Sequence, residues 1–163
     1  MQTYLAVKDF DLNAQILSVK HLGRQRVDCK LISNAWFKTN AWSKHPAVRM
    51  WEGHALWFVR YYDAIVRAWL LRGYHHQMEL NPQLYRLAET QCDAPWWLGE
   101  DAIYRSHRAV LIEKDPAYYG PLFDDFDVGA YGTDTPFFVY PVHIRNCKSR
   151  CLEYHTLVND LPF

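Results

Sequence analysis

The sequence predicts a mainly helical, compact single domain, and three observations carry that prediction. Apolar residues recur at helical spacing over residues 12–31, 48–70 and 103–111. Proline or glycine stands close to an end of the later stretches, at Pro46, Gly73 and Pro116. Half of the 163 residues are hydrophobic and the formal net charge is zero, a balance that excludes disorder and permits a sizeable core. The expected architecture is three long helices with irregular connectors.

Met1 to Val7 alternates loosely and reads as extended. Gln2 is bulky, which leaves the initiator methionine in place. Asp11 or Asn13 caps a first helix with apolar positions Leu12, Ile16, Val19, Val27 and Leu31. Gly23 interrupts it at about 1 kcal/mol relative to alanine, so either a neighbouring backbone packs closely there or the helix bends. A polar linker, Lys38 to Lys44, leads to His45-Pro46, with proline suited to a first turn. The next helix carries Val48, Trp51, Ala55, Phe58, Tyr62, Ile65, Trp69 and Leu70, and Gly73 ends it.

A short helix follows Asn81-Pro82, with Leu84, Leu87 and Ala88 inward, and Pro95-Trp96-Trp97-Leu98-Gly99 forms an aromatic connector. Glu100 and Asp101 place acids in the first turn of a third long helix, favourable to its dipole. Its core face is Ile103, His107, Val110 and Leu111; Arg105 and Arg108 share another face, and Asp115-Pro116 stops it. A strand is expected over Pro136–Val142. The domain is expected to span 1–143, with 144–163 a tail packed on it.

The neutral total hides an asymmetry. Residues 20–60 hold eight Lys and Arg against Asp28 and Glu52, whereas residues 113–134 hold six acids against Lys114. The first half can therefore present a positive face, and polyanion binding there would be salt-dependent. Seven Trp, eleven Tyr and eight Phe are mostly core, with a minority free to stack on bases. No apolar run reaches about 18 residues and no signal-peptide pattern is present, so the expectation is a cytoplasmic monomer with no membrane partner. The four cysteines are expected to be reduced.

The chemistry converges on Lys20-His-Leu-Gly-Arg-Gln-Arg-Val-Asp-Cys-Lys30. On a helix, Lys20, Arg24 and Asp28 form one face and His21 and Gln25 a row beside it. A lone acid among bases suits proton transfer beside a bound phosphodiester. The alternative is an ordinary Arg24–Asp28 surface pair adding roughly 0.2–0.5 kcal/mol. Cys29 reads as a small buried thiol rather than a nucleophile. His143, Cys147, Cys151 and His155 are zinc-binding types four residues apart, but on one helix the outer two would stand about 18 Å apart. They read as a short C-terminal helix with free thiols, and no metal or cofactor is expected. Phosphate-loop, dinucleotide, serine-elbow and His-Glu-x-x-His motifs are absent.

Several stretches add a resemblance: Leu22-Gly-Arg-Gln-Arg-Val-Asp28, His45-Pro-Ala-Val-Arg-Met-Trp51, Arg72-Gly-Tyr74, Pro95-Trp-Trp-Leu-Gly99, Ser106-His-Arg108 and Lys114-Asp-Pro-Ala-Tyr-Tyr119. They resemble a bacterial and phage family of pyrimidine-dimer DNA glycosylases, distantly related to phage endonuclease V. The resemblance implies an endonuclease V-like helical fold and DNA as partner. In such glycosylases the N-terminal α-amine attacks sugar C1′ to form a Schiff base, a glutamate on the first helix assists, and basic residues grip a kinked duplex.

Carried onto this chain, the catalytic candidates are Met1, Asp28 and His107. The candidate nucleic-acid contacts are Lys20, Arg24, Gln25, Arg26, Arg49, His54, Arg105, Arg108 and Tyr119. For His54 a hydrogen-bonded structural role is the competing reading. The chain departs from the pattern twice: Asp28 is one methylene shorter than glutamate, and Gln2 replaces the small residue that follows a removed methionine. Two other functions fit the same residues. One is a transferase acting on modified pyrimidines in phage DNA; the other is a nucleic-acid-binding module without catalysis.

Overall fold

The computed structural model describes residues 1–123, 140 and 141. The fold is mainly helical. Seven α-helices are present among the described residues: α1 (Phe10–Ile16), α2 (Val19–Trp36), α3 (Pro46–Arg49), α4 (Ala55–Leu71), α5 (Pro82–Ala88), α6 (Asp101–Lys114) and α7 (Pro116–Tyr119). No strand occurs among these residues. The expected strand over 136–142 and the His143, Cys147, Cys151, His155 series lie outside them. The chain forms two compact units, Met1–Leu98 and Gly99–Phe163.

In the first unit the expected first helix is two helices. Asp9, not Asp11 or Asn13, caps α1 by accepting Leu12 N–H at 2.7 Å. The chain then turns extended at Leu17, and Ser18 caps α2 by accepting His21 N–H at 3.4 Å. That break dissolves the predicted apolar stripe, and Leu12, Val19 and Leu31 are exposed. The buried face of α2 is instead His21, Leu22, Gln25, Asp28, Cys29, Ile32 and Ser33. Helical spacing is kept, with four uncharged or charged polar side chains where apolar ones were expected.

The second predicted helix is also interrupted. Proline at its first turn and His45 at its cap make the short α3, and Gly53 at φ 82° breaks the chain before α4. Positive φ there is cheap only without a Cβ. Gly73, also at φ 82°, follows the end of α4 as expected. Trp51 is fully buried at the centre of the unit. Its ring meets Phe58 at 5.3 Å and Trp97 at 5.1 Å, both edge-on, and tilts against Tyr61 at 5.4 Å. α5 packs on α4 through Leu84 and Ala88.

Gly23 faces a side chain rather than a backbone. A Cβ at this position would lie 3.0 Å from Cζ3 of Trp69. Trp69 has little room to yield: its Nε1 donates to His75 C=O at 2.9 Å, its ring stacks on Tyr74 at 4.4 Å, and Arg26 lies over its face at 4.5 Å.

The same arginine opens a directed chain of hydrogen bonds. Tyr62 O–H donates to Met78 C=O, so its oxygen accepts from His76 Nε2–H at 2.9 Å. His76 Nδ1 is then left to accept from Arg26 Nη1 at 3.1 Å. Burial holds His76 below its ordinary pKa of 6.5, with the Met78 backbone acting in the opposite sense and the Arg26 cation adding to the lowering.

In the second unit α6 buries Ile103, His107, Val110 and Leu111, the four residues expected to form its core face. Asp115 caps α7 by accepting Tyr118 N–H at 3.3 Å. Tyr119 is buried and stacks nearly parallel to Phe123 at 6.1 Å.

Two outcomes follow from the Trp69 and His76 contacts. Gly23→Ala should lower stability by about 1 kcal/mol in urea denaturation despite alanine's better helix propensity. In a Trp69→Leu background the same substitution should raise it. Because folded His76 has the depressed pKa, the unfolded chain takes up its proton first on acidification. Its contribution is therefore present above pH 6.5 and lost as pH falls through the folded value. The urea midpoint should decline over that range, with a smaller slope in His76→Asn.

Candidate active site at the N-terminus

Among the described residues no strand runs beside the N-terminal segment, and buried side chains bond its backbone instead. Gln25, fully buried on α2, donates from Nε2 to Gln2 C=O at 3.0 Å and accepts Tyr4 N–H on Oε1 at 2.8 Å. Its carboxamide thus imitates the peptide group of a neighbouring strand. Asn13, fully buried on α1, repeats the pattern two residues on. Its Nδ2 donates to Tyr4 C=O at 2.9 Å and its Oδ1 accepts Ala6 N–H at 2.7 Å. Tyr61 O–H adds a second bond to Tyr4 C=O at 2.8 Å.

Asp28 completes the ladder by accepting Gln2 N–H on Oδ2 at 3.2 Å. The first residue of the chain is thereby held beside the one acid of the Lys20–Lys30 stretch. Asp28 is 1 % exposed, so this is not a surface pair. Arg24 Nε lies 3.2 Å from each carboxylate oxygen and donates to Oδ2, while its side chain remains 58 % exposed. Oδ1 is buried and accepts no hydrogen bond from the described residues. An acceptor kept dry and unused is costly in a native protein unless something else engages it.

His45 lies near the same groups. Its Nδ1 accepts Ala47 N–H at 3.1 Å, capping α3, which leaves the ring proton on Nε2. Burial lowers its pKa, the N-terminal ammonium lowers it further, and Asp28 acts in the opposite sense. All three groups therefore lie within electrostatic reach of one another. Cys29, next to Asp28, is inert: burial pushes its thiol up to about 12.

The structure brings together Met1, Asp28, Arg24 and Gln25 from the sequence-based candidates. Lys20 is exposed one turn before Arg24. Gln25, expected at a nucleic acid, is buried and spends its carboxamide on the N-terminal segment. Arg26 points away to Trp69 and His76. Arg49 pairs with Glu52 at 3.3 Å, and His54 Nδ1 donates to Asp93 C=O at 3.0 Å. In the second unit His107 and Tyr119 are buried, Arg105 is half-buried, and Arg108 Nη2 lies 3.9 Å from Asp101. His107 meets Tyr140 edge-on at 5.7 Å. Among the described residues no cluster of His, Cys, Asp and Glu could hold a metal ion, and no helix is long and apolar enough to cross a membrane.

Sequence reasoning missed Asn13 and His45 as parts of the site. The available signals were an asparagine inside a helix, where it is a poor former, and a histidine directly before a helix-opening proline.

The scaffold is helical, and it sets the backbone of Gln2 against a buried acid that also meets an arginine. A family model described as pyrimidine dimer DNA glycosylase matches residues 1–82, the stretch that carries Gln2, Asn13, Arg24, Gln25, Asp28 and His45, and the chain belongs to that family. Membership implies glycosylase action on DNA. No curated protein and no solved structure matches the chain.

Gln25→Leu should leave Gln2 C=O and Tyr4 N–H unpaired and cost about 2–4 kcal/mol in urea denaturation. Gln25→Glu keeps an acceptor for Tyr4 N–H but turns a buried carboxylate oxygen toward Gln2 C=O, one turn from Asp28, and should cost at least as much. Equal stability of Gln25→Leu and the parent protein would contradict the ladder.

Proposed function

We propose that this protein is a DNA glycosylase with lyase activity that uses its own N-terminal amine as nucleophile and Asp28 as proton donor and acceptor. The amine lone pair attacks C1′ of the damaged nucleotide, the bond to the base breaks, and the base leaves with the electron pair. The amine then loses a proton as the C1′–O4′ bond opens to an imine, with Asp28 protonating O4′. The resulting carboxylate removes a C2′ proton and the 3′ phosphate departs by elimination. Arg24, with its outward guanidinium, holds a flanking phosphate, and Lys20 extends that basic lip.

The observation that carries this reading is the bond from Gln2 N–H to Asp28, 3.2 Å long, beside a buried carboxylate oxygen with no hydrogen bond. Two contacts bear on the departures from the endonuclease V pattern. The shorter acid still reaches the backbone that bears the amine, because α2 lies directly against the N-terminal segment. Gln2 finds a place because Tyr4 O–H donates to its side chain at 2.8 Å, turning that side chain along the segment.

Borohydride reduction in the presence of a duplex containing an abasic site or a cyclobutane pyrimidine dimer tests the proposal. The protein should form a covalent adduct that N-terminal acetylation abolishes. Asp28→Asn should bind the same duplex while turning over at least about a hundredfold more slowly. Undiminished trapping by the acetylated protein would rule out the amine. Binding without any adduct would leave a nucleic-acid-binding module.

A further inference from the structure

Between α2 and α3 the chain makes a 3₁₀ turn, Ala41–Lys44. Asn40 fixes its start: its Oδ1 accepts Trp42 N–H at 3.0 Å, and Ser43 Oγ donates to its C=O at 2.7 Å. The turn thereby presents the Trp42 indole outward, 57 % exposed in a chain that otherwise buries much of its aromatic surface. The inner side of that indole is backed by the His45 ring, with centroids 6.3 Å apart and planes inclined by 25°. His45 cannot swing away without giving up its cap on Ala47 N–H.

Exposed Lys38 and Lys44 flank the indole in the sequence, and neither forms an ion pair among the described residues. An exposed aromatic face with unpaired basic residues close by in the chain suits unpaired nucleotides, rings stacking while ammonium groups meet phosphates. A peptide or lipid partner would want a broader apolar patch than one indole. The backing histidine is the one within electrostatic reach of the N-terminal ammonium and Asp28, which ties Trp42 through one ring to those groups.

We infer that Trp42, backed by His45, is a stacking site for a nucleobase displaced from the duplex, next to the group formed by His45, Asp28 and the N-terminus. This rests on the glycosylase reading for its purpose, but not for its test. Binding is measured, without any reaction, on two duplexes that differ only in whether a 2-aminopurine is paired or bulged. The parent protein should bind the bulged duplex more tightly and alter its 2-aminopurine fluorescence. Trp42→Ala should lose about tenfold in affinity for the bulged duplex and little for the paired one. Trp42→Phe should retain the preference, whereas Trp42→Leu, which keeps apolar volume without a π face, should not. The salt dependence should be the same in all four proteins, since no phosphate contact has been removed.

Equal loss on both duplexes, a preference that survives in Trp42→Ala, or no preference in the parent protein would overturn the inference. If the preference depends on Trp42 while borohydride traps no adduct, the stacking site stands and the glycosylase reading falls.

Discussion

The constraint on which the site depends is the need to satisfy a buried, extended backbone that has no strand beside it among the described residues. Main-chain donors and acceptors removed from water each cost about 1–3 kcal/mol if left unmade. Gln2, Tyr4 and Ala6 present five such groups along one edge, and the sequence answers with Asn13, Gln25, Asp28 and Tyr61. Two carboxamides are well suited to this, because each carries a donor and an acceptor at nearly the spacing of a peptide group. The solution fixes the backbone of Gln2, Tyr4 and Ala6 against α1, α2 and α4.

The same constraint explains why α2 is polar where it is buried. A helix whose inner face must bind a backbone cannot be apolar there, so Gln25 and Asp28 sit one turn apart on that face while Leu22, Cys29 and Ile32 pack beside them. Asp28 differs from the two carboxamides in having only acceptors when ionised. It therefore tolerates the arginine above it, whose Nε lies 3.2 Å from both of its oxygens.

The helical class, the termination of α4 at Gly73, the inward face of α6 and the Asp28–Arg24 relation were legible, because each rests on spacing along one chain segment. The break at Leu17–Ser18 was not, since Leu12, Ile16 and Val19 keep a helical rhythm through it. Nor was the break at Gly53: α3 and α4 pack on the same aromatic core, so Val48, Trp51 and Ala55 are all buried and the pattern runs on across the gap. Asn13 and Gln25 were hidden for a different reason. Apolar periodicity finds faces that meet other apolar faces, whereas their partner is a backbone, which leaves no mark in the identity of the residues it belongs to. Trp69 against Gly23 illustrates the same limit, for the glycine signalled a close approach without naming what approaches.

Native-state hydrogen exchange at the N-terminus tests the central claim most directly. If side chains hold the segment as described, the amides of Tyr4 and Ala6 exchange only through openings that also break Gln25 and Asn13 contacts. They should be protected to nearly the level of the buried amides of α4. Exchange of both amides at the rate of an unstructured peptide would contradict the account, because nothing would then hold the first residue beside Asp28.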